Sequence, residues 1–206
     1  MKILIATNNH GKFREISKIL CDSEITLLSL SDLSLEKEKV EEDGKTFAEN
    51  ARKKALYFAQ KSKLLTLAED SGIIVDALSG ELGIKTRRWG AGEKVTDEEW
   101  ITYFLQRLEN VPVEKRTAKF VCFACLVDGT GKILQEVDWE SHGKITQELQ
   151  APIIPGLPIS SCFIPEKADK VFAAMSSAEK AQFSHRGGAM KLMKTYLLEK
   201  FCSKPF

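Results

Sequence analysis

Residues Thr7 to Lys12 (TNNHGK) bring a hydroxyl, two amides, an imidazole and an ammonium together directly after a short apolar run. The run Lys2–Ala6 suits a buried strand, and Phe13–Cys21 has apolar residues at helical spacing. The polar loop therefore lies between a strand and the start of a helix, where backbone N–H groups favour an anion. This pattern predicts a phosphate site formed by Thr7, Asn8, Asn9, His10, Gly11 and Lys12, and the alternative is a polar turn that only caps the helix.

Two acidic segments could hold a hard cation. Glu42 lies in an acidic stretch just before a predicted helix, and Asp70 follows a predicted strand, Leu64–Ala68, with Ser71 directly after it. Mg²⁺ takes one or two carboxylates together with phosphate oxygens and water, and ligands gather at strand ends in open α/β sheets. A carboxylate at the position of Asp70 could also accept a proton from water. The alternative role for both residues is capping of a helix or turn.

A third group of polar residues lies near the end of the chain, between two predicted helices. Its members offer hydrogen-bond donors to a phosphate or to the edge of a base: Lys180, Ser184, His185 and Arg186. A histidine in such a place is otherwise a structural residue. Arg87 and Arg88 are two further cations that could contact phosphate or could simply lie at the surface.

The elements that must position these residues are mixed along the chain. The spacing predicts helices over 46–63, from Thr96 with a capping box, over 176–182 and over 188–201. A long strand over 117–127, a turn at 128–131 and a return strand over 132–140 follow the middle helix, and 151–165 has four prolines and is predicted to be irregular. Strands and helices without strict alternation indicate an α/β protein with a mixed sheet.

Composition narrows the class of protein. The 206 residues fit a single domain, and 30 Lys and Arg nearly balance 29 Asp and Glu, so no global field draws the chain to nucleic acid or to an anionic membrane. No apolar run approaches the roughly 20 residues of a membrane helix, and the N-terminus has no signal-peptide pattern. We therefore expect a cytoplasmic protein.

The five cysteines are predicted to be reduced. Cys122 and Cys125 have the spacing of half a zinc or redox site, but both lie in the predicted strand 117–127. Residues three apart in a strand point to opposite faces, so this pair cannot share a metal or form a bridge without a bulge.

Together these segments resemble the inosine triphosphatase family of purine nucleoside triphosphate pyrophosphatases. The likeness rests on four motifs in order, which are Thr7-x-Asn9-x-x-Lys12, EEDGKTFAENARKKA around Glu42, AEDSGIIVDALSGELGI from Ala68 to Ile84, and Ser184-His-Arg-Gly187. Together they span most of the chain.

The resemblance implies an elongated α/β fold of two lobes around a mixed sheet flanked by helices, with the active site in a central cleft. It implies one domain over residues 1–206, a homodimer, a Mg²⁺ requirement and hydrolysis of a nucleoside triphosphate to monophosphate and pyrophosphate. By position, Thr7 to Lys12 would hold the triphosphate, Glu42 and Asp70 would hold Mg²⁺, and Asp70 would accept the proton. Contacts to nucleotide and base would come from Ser71, Lys180, His185 and Arg186.

Three positions depart from the family pattern. Glu69 replaces the first Asp of Asp-Asp-Ser-Gly and could shift metal geometry, and Ala181 stands where Asn is common. The third departure is the segment 156–163 (GLPISSCF), which replaces Gly-Phe-Gly-Tyr-Asp-Pro-Ile-Phe. The stacking aromatic ring and the Tyr-Asp pair are absent, and the base-contacting positions become Leu157, Pro158, Ile159 and Ser160.

The leading hypothesis is a Mg²⁺-dependent enzyme that hydrolyses inosine and xanthosine triphosphates, including the deoxy forms, and so keeps deaminated purines out of DNA and RNA. Two alternatives stay open. One is a related hydrolase with shifted base specificity, and the other is a catalytically weak nucleotide-binding protein.

Overall fold

The computed structural model describes residues 1–90 and 95–202. In these ranges the chain forms six strands, namely β1 (Lys2–Ile5), β2 (Thr26–Leu28), β3 (Leu65–Val75), β4 (Thr117–Val127), β5 (Ile133–Ile145) and β6 (Phe163–Pro165). The α-helices of these ranges are α1 (His10–Leu20), α2 (Phe47–Ser62), α3 (Asp97–Arg107), α4 (Ser177–Phe183) and α5 (His185–Leu197). Short 3₁₀ turns join several of them, and a π-helical turn, Leu198–Cys202, follows α5.

The strands form one sheet in the order β2-β1-β3-β4-β5-β6. β1 runs parallel to β2 and to β3, whereas β6 pairs antiparallel to β5. The predicted α/β class with a mixed sheet is therefore confirmed.

The chain divides into two compact units. Of the described residues, unit 1 comprises 1–70, 122–139 and 186–202, and unit 2 comprises 71–90, 95–121 and 140–185. Strands β3, β4 and β5 contribute residues to both units. The expectation that residues 1–206 act as a single domain stays a prediction.

Unit 1 has two apolar cores, and the alternation of its strands separates them. One contains Ile3 and Ile5 of β1 with Leu67 of β3, together with buried residues of α1 and α5. The other contains Leu4 and Ala68, together with buried residues of α2. Because successive strand residues point to opposite faces, Ile3, Ile5 and Leu67 meet α1 and α5, and Leu4 and Ala68 meet α2.

Unit 2 has one core that is rich in aromatic rings. Trp100 stacks on Phe104 within α3 at a centroid distance of 5.4 Å, and Phe163 lies 5.1 Å from Phe172. Arg116 is buried beside this core, where its guanidinium donates to the carbonyl oxygens of Leu108, Val111 and Thr146. These hydrogen bonds satisfy the buried cation and tie the end of α3 to the end of β5.

Side-chain caps explain why the helices begin where the sequence predicts. Thr46 accepts a hydrogen bond from the Glu49 amide at α2, and Thr96 and Ser176 form complete capping boxes at α3 and α4. The predicted starts of these three helices are confirmed.

Four predicted boundaries are wrong. β3 does not end at Ala68 but continues to Val75, so Asp70 lies within a strand and not at its end. The strand can continue past position 72 because glycine has no Cβ: a Cβ there would lie only 2.2 Å from the Gly83 carbonyl oxygen. The β-branched residues that follow Gly72 also favour a strand. β5 likewise extends to Ile145 and not to 140.

The other two errors concern helix starts. α1 begins at His10, because Asn9 caps it, so His10 to Lys12 form its first turn and not a loop. α5 begins at His185, so the His-Arg-Gly motif lies in a first helical turn and not between two helices.

Cys122 and Cys125 pack into different cores of unit 1, which confirms that they point to opposite faces of β4. All five cysteines are free thiols. Among the described residues, no helix is long and apolar enough to cross a membrane.

Candidate active site

Two adjacent carboxylates on β3 face opposite layers of unit 1. Glu69 follows Leu67 on the face covered by α1 and α5, and Asp70 follows Ala68 on the face covered by α2. Both side chains are buried, since Glu69 is 2% and Asp70 5% exposed. The sequence pair Glu-Asp therefore supplies two carboxylates with different neighbours.

Asp70 is held by two residues of α2. The Asn50 amide nitrogen donates to Asp70 Oδ2 at 3.0 Å, and the Lys54 ammonium lies 3.5 Å from Asp70 Oδ1. Burial raises the pKa of Asp70, against the opposing effects of the Lys54 and Lys12 charges. A carboxylate with a raised pKa has a greater affinity for a proton than an ordinary aspartate.

Lys54 also joins Asp70 to Glu42, because its ammonium nitrogen lies 2.7 Å from Glu42 Oε1. Burial alone would lower the pKa of Lys54, but the charges of Asp70, Glu42 and Glu69 outweigh it and raise this pKa. Sequence reasoning missed Lys54 and Asn50. Asn50 and Lys54 are four residues apart and so lie on one face of α2, and this spacing is the sequence pattern that could have predicted them as partners.

The same arrangement tests whether a divalent cation fits. Glu42 and Asp70 share a cation, because both contact the Lys54 ammonium. The two carboxylates are also close enough for the Glu42 charge to raise the pKa of Asp70. In residues 1–90 and 95–202, no group of three or more His, Cys, Asp or Glu side chains could hold a metal. Two carboxylates are nevertheless enough for Mg²⁺, which takes its remaining ligands from substrate oxygens and water.

The predicted phosphate residues lie at the start of α1, with His10, Gly11 and Lys12 in its first turn and Thr7, Asn8 and Asn9 directly before it. Asn9 caps the helix, with its side-chain oxygen accepting from the Lys12 amide at 3.0 Å, and the Asn9 amide donates to Thr7 Oγ1 at 3.2 Å. Asn8 and His10 are exposed, whereas Gly11 is buried. The capping role that sequence reasoning kept as an alternative is therefore present for Asn9. It is compatible with anion binding, because the helix N-terminus retains its positive dipole end.

The Lys12 ammonium points to the face of β3 that carries Glu69, 2.8 Å from Glu69 Oε1. Arg186, in the first turn of α5, approaches the same oxygen through its Nε at 3.5 Å and pairs with Glu15 through Nη1. Burial alone would raise the pKa of Glu69, but the charges of Lys12 and Arg186 outweigh it and hold this pKa well below its usual range.

The predicted base-contacting residues lie mainly in unit 2. Ser160 is buried and 3.2 Å from the Lys180 ammonium, which also lies 5.6 Å from the centre of the Phe172 ring. His185 stacks on Phe120 with a centroid distance of 4.6 Å and nearly parallel planes. Phe120 and Phe172 are themselves neighbours, with ring centroids 6.0 Å apart, so the Lys180 ammonium and the His185 imidazole lie on one pair of rings.

The segment that departs from the family pattern is well anchored in unit 2. The Gly156 amide donates to Asp97 Oδ2 at 2.6 Å, and Pro158–Ser161 forms a 3₁₀ turn whose residues are all buried. Ile159 belongs to the aromatic-rich core, and Leu157 is half-buried. Ser71, on β3, belongs to this unit, whereas Arg186 belongs to unit 1 with Lys12, Glu42 and Asp70.

A comparison with known protein families matches residues 3–196 to the Ham1 family. The chain belongs to the Ham1 family. It is 40% identical over 196 residues to the dITP/XTP pyrophosphatase of Geobacter sulfurreducens, covering 95% of this chain and 96% of that protein. It is 39% identical to the dITP/XTP pyrophosphatase of Aquifex aeolicus over the full length of both.

Solved structures agree with this family. The Ham1 protein of Staphylococcus aureus superposes with a TM-score of 0.80 at 32% identity, covering 97% of this chain and all of that one. The Ham1 protein of Coxiella burnetii superposes with a TM-score of 0.78 at 30% identity, covering 97% of this chain and 99% of that one. The predicted family and fold are therefore confirmed.

Proposed function

We propose that this protein is a Mg²⁺-dependent pyrophosphatase that hydrolyses dITP, ITP, XTP and dXTP to the monophosphate and pyrophosphate. The observation that carries the proposal is the cluster around Asp70, in which two carboxylates share the Lys54 ammonium beside the buried Asn50. The similarity to dITP/XTP pyrophosphatases over nearly the whole chain supports the same reaction.

The first turn of α1 binds the triphosphate in this proposal. Its backbone N–H groups and dipole favour anions, and the Thr7 hydroxyl, the Asn8 amide and the Lys12 ammonium add donors. Lys12 acts as a point charge on a phosphate oxygen.

Glu42 and Asp70 would hold Mg²⁺. When bound, the ion neutralises charge on the phosphate oxygens and polarises the phosphoanhydride. The Lys54 ammonium contacts both carboxylates and balances their charge.

Asp70 accepts the proton from the attacking water. The Asn50 amide donates to Oδ2 and fixes the orientation of the carboxylate towards the water. The water oxygen adds to the α-phosphorus, the bond from this phosphorus to the oxygen that bridges to the β-phosphate breaks, and pyrophosphate leaves with that oxygen.

Leu157, Ser160, Lys180 and His185 contact the base in this proposal. Lys180 and His185 can donate to the 6-oxo group that inosine, xanthosine and guanosine share and adenosine lacks. The preference over guanosine is supported by the similarity to dITP/XTP pyrophosphatases. Leu157 offers apolar contact in place of a stacked ring, so we expect preference for 6-oxo purines with weaker affinity than a stacked base would have.

The remaining expectations concern context. Nucleoside triphosphates are held in the cytoplasm, so the proposed reaction takes place there. We also propose that residues 1–206 form one catalytic domain.

We propose that the chain works as a homodimer. Trp139 and Leu192 of unit 1 are 44% and 45% exposed, and these large apolar side chains support burial against a second copy. Sedimentation velocity should give twice the chain mass, and a monomer at micromolar concentration would contradict the dimer.

A substrate panel tests the proposed function against its alternatives. Pyrophosphate release is measured with Mg²⁺ for dITP, XTP, ATP and GTP, and kcat/KM should be highest for dITP and XTP. A different best substrate would favour the hydrolase of shifted specificity. Binding without turnover of any triphosphate would favour the weak nucleotide-binding protein.

A further inference from the structure

Glu69 has a place in the site that the proposed reaction does not use. Its carboxylate points away from Asp70, to the face of β3 where Lys12 of α1 and Arg186 of α5 approach. The Glu69 side chain is 1% exposed and the Arg186 side chain 3% exposed, so both charges are shielded from solvent.

One oxygen of Glu69 serves both cations. Oε1 lies 2.8 Å from the Lys12 ammonium and 3.5 Å from Arg186 Nε. Two cations that approach one oxygen repel each other unless an anion lies between them, and removal of the partner of a buried charge such as Arg186 leaves that charge uncompensated. Glu69 therefore links the first turns of α1 and α5, in addition to the direct ion pair between Arg186 and Glu15 of α1.

The second oxygen of Glu69 has its own partner. Cys122 Sγ, on the neighbouring strand β4, lies 3.6 Å from Oε2, and the thiol donates a weak hydrogen bond to it. Because Oε2 accepts from Cys122, the carboxylate is oriented with Oε1 towards the two cations.

We propose that Glu69 is a positioning residue that holds Lys12 and Arg186 for the substrate phosphates, with Cys122 orienting its carboxylate. This rests on the proposed function. It replaces the expectation that a longer carboxylate at position 69 acts by shifting metal geometry, since Glu69 and the carboxylates proposed to hold the metal contact different cations.

The test compares Glu69→Asp, Glu69→Gln and Cys122→Ala with wild type. Shortening Glu69 withdraws the carboxylate by about one carbon–carbon bond, ~1.5 Å, and the neutral amide removes its charge. Because both variants weaken the ion pairs of Glu69 with Lys12 and Arg186, the KM for dITP should rise roughly tenfold in each. The weaker contact of Cys122 predicts a rise of about threefold. The Mg²⁺ concentration for half-maximal activity should not change.

Cys125→Ala is the matched control. Cys125 is a fully buried cysteine on the same strand, but it faces the α2 side, so its loss should leave KM unchanged. Equal effects of Cys122→Ala and Cys125→Ala would overturn the proposal, because they would reveal a general packing effect. A changed Mg²⁺ requirement with unchanged KM would overturn it in favour of a metal role for Glu69.

Calorimetric binding of inorganic tripolyphosphate separates this proposal from the proposed function. Wild type should bind the probe, and both Glu69 variants should bind it about tenfold more weakly, whether or not the enzyme turns over any nucleotide. If the Glu69 variants do not fold, Cys122→Ala decides through the same measurement. Unchanged binding in a folded variant, or no binding by wild type, would overturn the positioning role.

Discussion

At the scale of single residues, Glu69 and Asp70 differ because their neighbours differ. Lys12 and Arg186 hold the pKa of Glu69 far below its usual range, whereas burial raises the pKa of Asp70. Two adjacent carboxylates with pKa values moved in opposite directions can take different tasks, one as a fixed anion and one as a base.

Replacement of Asp70 tests the base and metal roles together. Asp70→Asn keeps the size of the side chain but removes its charge and its proton affinity, so kcat should fall by about 10²–10⁴-fold or more. The melting temperature should stay close to that of wild type. Asp138→Asn, at an exposed position of β5, is the control and should keep normal turnover. Near-normal turnover of Asp70→Asn would contradict the assignment.

Lys54 gives a second prediction at this scale. Lys54→Met removes the cation that Glu42 and Asp70 share, so these carboxylates should repel each other until a divalent cation replaces it. The melting temperature of this variant should therefore rise more on addition of Mg²⁺ than that of wild type. Lys53→Met removes the neighbouring exposed partner of Asp43 and should show the wild-type response. An equal Mg²⁺ response in all three proteins would exclude a shared cation site.

At the scale of elements, caps and ion pairs fix where the helices begin. Ser176 and Glu179 close the first turn of α4, and the Lys170 ammonium pairs with Glu179 at 2.7 Å. Lys170 and the amide and hydroxyl of Ser176 lower the pKa of Glu179 from 4.5 to about 2.

This shift predicts how α4 responds to acid. The folded-state pKa of Glu179 lies below its unfolded value, so its contribution to stability is full above about pH 4.5 and is lost as pH falls towards 2. The difference in unfolding free energy between wild type and Glu179→Gln, measured in urea at a series of pH values, should shrink over this range. In proteins that carry Lys170→Met, the difference in unfolding free energy between Glu179 and Glu179→Gln should be smaller than in the wild-type background. If the difference in unfolding free energy between wild type and Glu179→Gln does not depend on pH, the ion pair between Lys170 and Glu179 is contradicted.

The starts of α2, α3 and α4 could be predicted because a cap is a local pattern of a few residues. The extent of β3 could not, because Ser71-Gly72 reads as a turn until the close approach of the Gly83 carbonyl is known. Motif positions predicted Lys12, Glu42 and Asp70 as site residues, and these roles stay predictions. Lys54 and the direction of Glu69 were missed because they depend on which face of α2 or β3 meets which neighbour.

At the scale of the whole molecule, the two units carry different parts of the proposed chemistry. Unit 1 contains Lys12, Glu42, Lys54 and Asp70, and unit 2 contains the segment around Leu157 with Lys180 and His185. Changes in unit 2 should therefore alter the choice of base, and changes in unit 1 should alter turnover for all bases alike.

Leu157→Phe tests this division. A stacked ring contributes roughly 1–3 kcal/mol per base, so the KM for dITP and XTP should fall at least severalfold. The Mg²⁺ requirement should not change, because the substitution lies in unit 2. Leu149→Phe, at an exposed position of the same unit, is the control. Identical kinetics of Leu157→Phe and wild type would show that this segment does not contact the base.

Analysis of the products of dITP tests the central claim most directly. The purified protein is incubated with dITP and Mg²⁺, with a chelator in a parallel sample, and the phosphate products are separated by anion exchange. We expect equal amounts of dIMP and pyrophosphate with Mg²⁺, and neither product with the chelator. Release of dIDP and phosphate, or a rate that the chelator leaves unchanged, would contradict the account.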